Sequence, residues 1–168
     1  AGRRTYADRD RAGQRGRQKT RLALRNADHS MGLDENMIVA GIGCRRGAPA
    51  ADIETAIRTA LARANIMPHA LDAVATIVAK HDEPGIAAAA KGFGVSVMFV
   101  ADTDLQAAAH RTETRSPRVH ALIGVPSVAE AAALASAGPS ARLISPRVVF
   151  GAATCALAAS EKAPGVAP

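Results

Sequence analysis

The stretch MIVAGIGCRRGAPAADIETAIRTALARANI, residues 37–66, decides the fold. Its opening, MIVAGIG (37–43), is an apolar run of strand length, suited to burial on both faces. Beyond the glycines and two adjacent arginines, ADIETAIRTALARANI (51–66) sets Ile53, Ala56, Ile57, Ala60, Leu61 and Ala64 on one helical stripe. A buried strand followed by a helix with one apolar face is the βα unit of a parallel sheet.

The same alternation runs on toward the C-terminus. AVATIVA (73–79) reads as a second strand, and DEPGIAAAAKGFG (82–94) as a short helix capped by Asp82, opened by Pro84 and ended at Gly92 or Gly94. VSVMFVA (95–101) is a third strand, Asp102 a cap for a short helix in DTDLQAAAH (102–110), and RTETRSPR (111–118) a surface loop. VHALIGV (119–125) is expected as a fourth strand. PSVAEAAALASAGP (126–139) follows as a helix, with Ser127 and Glu130 in capping-box spacing and Gly138 and Pro139 at its exit. ARLISP (141–146) and VVFGAATCALAA (148–159) are expected as a closing strand pair that turns around Pro146 and Arg147. The expected fold is therefore α/β: a mostly parallel, mixed sheet with helices on both faces and a C-terminal strand pair.

One domain accounts for residues 36–162. Residues 1–35 carry nine Lys or Arg against five Asp or Glu and show no apolar period, so a basic, flexible arm is expected there, with 163–168 as a tail. Met31 and Met37 both precede the first apolar run, and either could start translation.

Composition narrows the class of function. The net charge is +6, but the N-terminal arm supplies +4 of it, and aromatics are only 2% of the chain, which leaves little for a base to stack on. Nucleic acid is not the expected partner. Two cysteines give neither a disulfide framework nor a zinc spacing, so no metal site is expected and a reducing cytoplasm fits. The longest apolar stretch, VVFGAATCALAA, has 12 residues where about 20 are needed to span a bilayer, so no membrane association is expected.

In an open α/β sheet, ligands bind beyond the carboxyl ends of the strands. The segments leaving the expected strands carry Arg45 and Arg46, then Lys80 with His81, then Arg147. Such a rim suits a ligand with several carboxylates or phosphates, since guanidinium pairs with either in bidentate fashion. Alternatively the arginines belong to a solvated loop, or pair with Glu83 or Asp102. Lys80, His81 and Glu83 are the candidates for proton transfer, although a lone His is more often a surface or packing residue. Cys44 stands beside two arginines, a setting expected to lower a thiol pKa, yet no His and carboxylate partners are identifiable by spacing. Cys155 reads as core. GIGCRRG lacks both the GxGxxG spacing and the P-loop lysine.

Taken together, GIGCRRG with its following helix, ATIVAKHDEPGIAAAAKGFGVSVMFV, GVPSVAEAAALASAG and RLISPRVVFGAATCALA resemble the cobalamin-biosynthesis family of CobE and the C-terminal domain of CbiG. The likeness runs from about Met37 to Ser160, and the chain resembles the standalone CobE type. The matching positions are Gly41, Gly43, Cys44, Arg45, Arg46 and Gly47, then Lys80, Asp82, Glu83 and Gly85, then Gly124, Pro126, Ser127 and Glu130. Arg147 and Ala153 stand where the family pattern has a lysine and a threonine or valine. The resemblance implies a ligand rather than a cofactor of the protein's own: a precorrin or corrin intermediate, with or without cobalt, bearing acetate and propionate arms. The ligand-binding set expected from rim and resemblance is Gly43, Cys44, Arg45, Arg46, Gly47, Lys80, Gly124, Ser127 and Arg147. Other enzymes of the pathway are the protein partners it suggests. The larger CbiG proteins open a ring lactone and expel a two-carbon fragment from a cobalt-precorrin, so the resemblance leaves binding and catalysis both open.

Overall fold

The computed structural model describes residues 36–160. The expected N-terminal arm, the tail and the alternative start at Met31 lie outside the described residues. Along the chain run β1 (Ile38–Cys44), α1 (Ala50–Arg63), β2 (Ala73–Ile77), α2 (Pro84–Phe93), β3 (Ser96–Val100), α3 (Asp102–Ala108), α4 (Pro117–Ile123), α5 (Val128–Ala137), β4 (Arg142–Phe150) and β5 (Ala153–Ala159). The five strands form one sheet in the order β3-β2-β1-β5-β4. β1, β2 and β3 pair parallel, while β5 pairs antiparallel with both β1 and β4. β4 therefore points the same way as β1, and the carboxyl ends of four strands share one edge of the sheet.

Strand alternation divides the core between the two faces. Ala40 and Ile42 pack with Ile53, Ile57 and Leu61 of α1 and with Ile86 of α2. Val39 and Ala75 pack on the opposite face with Leu105 of α3 and with Ala132 and Leu134 of α5. α5 is built largely of alanine and lies unusually close to the sheet, which Gly41 permits. A Cβ on Gly41 would run into the Ala129 carbonyl and come within 2.6 Å of the Ala133 nitrogen. Gly41 and Gly43 thus lie within β1 and serve close packing, whereas Gly47, at φ 70°, is the glycine that turns the chain.

The structure departs from the sequence reading at several places. VHALIGV is not a strand: Pro117 opens a helix and Gly124, in the left-handed region at φ 80°, ends it. Its apolar residues Val119, Leu122 and Ile123 fall at helical spacing, the physical reason that a helix wins. The chain does not turn at Pro146 and Arg147 either. β4 runs through both, with register shifts on either side of Ser145, and the hairpin closes at Gly151 and Ala152. Because β4 is an edge strand, Pro146 removes no ladder hydrogen bond to a further strand. Finally, Asp82 and Asp102 are not helix caps: those positions fall to Glu83 and Ala101, and neither makes a side-chain cap bond.

Candidate functional site

At the shared carboxyl edge the strands open into a cleft of about 440 Å³. Five cations line it: Arg45 and Arg46 after β1, Lys80 after β2, Arg118 at the start of α4, and Arg147 in β4. Among the described residues, no Asp or Glu belongs to its lining. Ile77, Val119, Leu122, Ile123, Val128 and Val149 supply the apolar part, and two of them are strongly solvent-exposed, Leu122 at 75% and Val149 at 63%. Among the described residues, the side chains of Arg45, Arg46, Arg118 and Arg147 make no hydrogen bond or ion pair. Four guanidinium groups line one hollow, none of them in an ion pair and only Arg46 under the charge of a nearby acid, Glu83, an arrangement whose chemistry suits an anion.

Three carboxylates hold this rim from behind. Glu83 accepts from the Gly47 N–H at 2.8 Å and from Lys80 Nζ at 3.2 Å, fixing the arginine loop to the start of α2. That bond from Gly47, helped by the Lys80 and Arg46 charges, holds the Glu83 carboxyl below its ordinary pKa. Asp52, in the first turn of α1, accepts from the Ala152 N–H at 2.9 Å and so anchors the β4–β5 turn. Glu130, in the first turn of α5, is wholly buried and accepts from the Arg147 N–H at 2.9 Å. Between β1 and β5, Thr154 Oγ1 donates to the Gly43 carbonyl at 3.0 Å.

Of the residues expected from the sequence, Gly43, Cys44, Arg45, Arg46, Lys80, Ser127 and Arg147 line the cleft. Gly47 and Gly124 do not: Gly47 acts through its amide, and Gly124 ends α4. Of the proton-transfer candidates, Lys80 lines the cleft, while His81 and Glu83 lie outside its lining. Lys80 and Glu83 are bound to each other, and exposed His81 pairs with Asp82 at 2.9 Å and meets the edge of the Phe99 ring at 6.2 Å. The expectation for Cys44 is reversed. Burial pushes its thiol up, and the opposing Lys80 charge is too weak to bring it back. Cys155 is fully buried and its thiol is likewise pushed up. Ser127 caps α5, accepting from the Glu130 N–H at 3.4 Å, as its spacing implies. Among the described residues, no group of three or more His, Cys, Asp or Glu could hold a metal ion, and no single helix is long and apolar enough to cross a membrane.

The sequence reading missed Arg118, Val119, Leu122 and Ile123, because it gave 111–118 to a loop and 119–125 to the sheet. Pro117, Gly124 and the 119, 122, 123 spacing were the signal available.

Comparison with known proteins agrees with this architecture. The family model described as "Cobalamin synthesis G C-terminus" matches residues 38–158. The chain is 41% identical over 121 residues to Protein CobE of a Sinorhizobium species, covering 72% of this chain and 79% of that protein. It superposes, at a TM-score of 0.71 and 35% identity, on the crystal structure of CobE, a protein from the cobalamin (vitamin B12) biosynthetic pathway, covering 75% of this chain and 92% of that one. Over 102 residues it is 30% identical to the cobalt-precorrin-5A hydrolase of Priestia megaterium, which covers 61% of this chain and only 27% of the hydrolase.

Proposed function

The chain belongs to the cobalamin synthesis G C-terminal family and is a protein of cobalamin biosynthesis, and from this premise we propose that it binds a precorrin or corrin intermediate through the carboxylates of that macrocycle. The observation that carries the reading is the cleft itself: cations from four separate segments, no acidic residue among them, and an apolar wall opposite. A tetrapyrrole of this pathway has the complementary chemistry, an apolar ring system with acidic arms at its rim. Charge-assisted, bidentate contacts to Arg45, Arg46, Arg118 and Arg147 would take the arms, while Val119, Leu122 and Val149 would cover ring surface. The ligand would sit partly in the open, a geometry suited to passing it to a neighbouring enzyme of the pathway in the cytoplasm.

The second reading, favoured by the hydrolase similarity, is lactone opening on a cobalt-precorrin. Binding is the stronger of the two because, among the described residues, no carboxylate lines the cleft, Cys44 has its thiol pushed up, and Lys80 and Glu83 are occupied with each other.

Uroporphyrin III, whose pyrroles all carry acetate and propionate arms, is a practical probe. Titration followed in its absorbance band should give a saturable shift at equal molar amounts of probe and protein. Replacing Arg45 and Arg46 together by Ala should weaken binding roughly a hundredfold, as two charge-assisted contacts predict. Unchanged affinity in that variant would refute the cationic grip. Turnover of a cobalt-precorrin lactone by substoichiometric protein would favour the hydrolase reading.

A further inference from the structure

Glu130 is the most completely buried acid among the described residues, at 0% exposure, and it accepts four hydrogen bonds. Oε2 takes the Glu113 and Thr114 N–H groups at 2.7 and 2.9 Å, and Oε1 takes the Thr114 hydroxyl and the Arg147 N–H at 2.7 and 2.9 Å. A capping-box acid would reach back to the amide of its own cap residue. Glu130 instead turns its carboxylate to two segments distant in sequence. Arg147 belongs to the cationic side of the cleft. Glu113 and Thr114 belong to the strap that leads into α4, whose far end is pinned by the Ser116 N–H bond to the Pro126 carbonyl at 2.9 Å. Both sides of the cleft are thus tied to one carboxylate on α5.

We propose that Glu130 is a positioning residue of the cleft, a buried clasp that fixes the Arg147 side and the α4 side in register for the ligand. The inference builds on the binding function proposed above. A neutral amide at this position has one acceptor oxygen where the carboxylate has two, so Glu130→Gln leaves two of the four donors facing an NH₂ group, and of the four only the Thr114 hydroxyl can turn to accept from it. These bonds are part-buried, and a donor that loses its acceptor there moves its segment toward water or another partner.

The test pairs affinity for uroporphyrin III with amide hydrogen exchange in the unliganded protein. In folded Glu130→Gln, binding should be roughly tenfold weaker, and the part of this loss that runs through Arg147 should vanish in an Arg147→Ala background. Exchange should rise together at Arg147 and across residues 118–123. Equal losses in both backgrounds, or faster exchange at Arg147 with α4 unchanged, would overturn the clasp. If Glu130→Gln fails to fold, Thr114→Val removes one of the four donors and should reproduce both effects at roughly a third of the size; a silent Thr114→Val then counts against the proposal. Should the unaltered protein not bind uroporphyrin III, the binding function falls, and the exchange experiment alone decides whether Glu130 links the two sides.

Discussion

On the β1 side of the cleft, the arginine loop and the adjoining β4–β5 turn are each held by a helix-borne carboxylate, Glu83 on Gly47 and Asp52 on Ala152. Beneath them Gly41 lets the backbones of α5 and β1 meet at close range, and Gly43 leaves room for the Thr154 hydroxyl. Across the cleft, α4 has no fully buried residue, and its carboxyl end is held by a single side-chain bond, Gln106 Nε2 to the Ile123 carbonyl at 3.2 Å. One side is built to fix charges in space. The other presents apolar side chains on a lightly packed helix, which is what a ring of variable substitution pattern would need.

The largest effect expected from this contrast comes from filling the close approach beneath the rigid side. Gly41→Val would drive a side chain into the α5 backbone, and thermal or denaturant unfolding should report a loss of about 3 kcal/mol, the upper range for overpacking. A variant of native stability would mean that α5 is free to retreat and that the rigid side is not rigid.

An intermediate effect is expected on the opposite side. Leu122→Ala should leave folding stability within about 0.5 kcal/mol, because the side chain is mostly in solvent. Binding of uroporphyrin III should weaken about fivefold, the worth of a partly covered apolar side chain. Loss of stability without loss of binding would assign Leu122 to the fold and remove the apolar wall.

The contrast also separates what was legible in the sequence from what was not. The β1 to β3 units were readable because their apolar periods are unambiguous, and the cations leaving β1 and β2 followed from strand direction alone. α4 was lost because a run of seven largely apolar residues satisfies strand and short helix alike. With it went Arg118 and the apolar wall. The GIG glycines fall within the first strand by sequence, but the helix that Gly41 lets approach, α5, lies about 90 residues further on and meets it only through the tertiary fold. Glu130 could be read only as a helix-capping residue, since its partners lie 16 and 17 residues away and meet it only through the tertiary fold.

The smallest expected effect is a pH response confined to the rigid side. Since the folded protein holds the Glu83 carboxyl below its ordinary pKa, the bond to Gly47 is intact above that value and is lost as pH falls through the depressed one. The Gly47 amide resonance should therefore titrate below the usual glutamate range, while the amides of α4 stay unmoved. Titration of Gly47 at or above the ordinary value would remove Glu83 as an anchor.

The account as a whole is tested most directly by mapping amide chemical-shift changes as uroporphyrin III is added. It predicts saturable changes on both sides of the cleft, at 43–47, 118–123, 147 and 152–154, with none on the face formed by α1 and α2. Changes centred elsewhere, or restricted to Arg45 and Arg46 without α4, would contradict the claim that the cations and the apolar wall form one binding site.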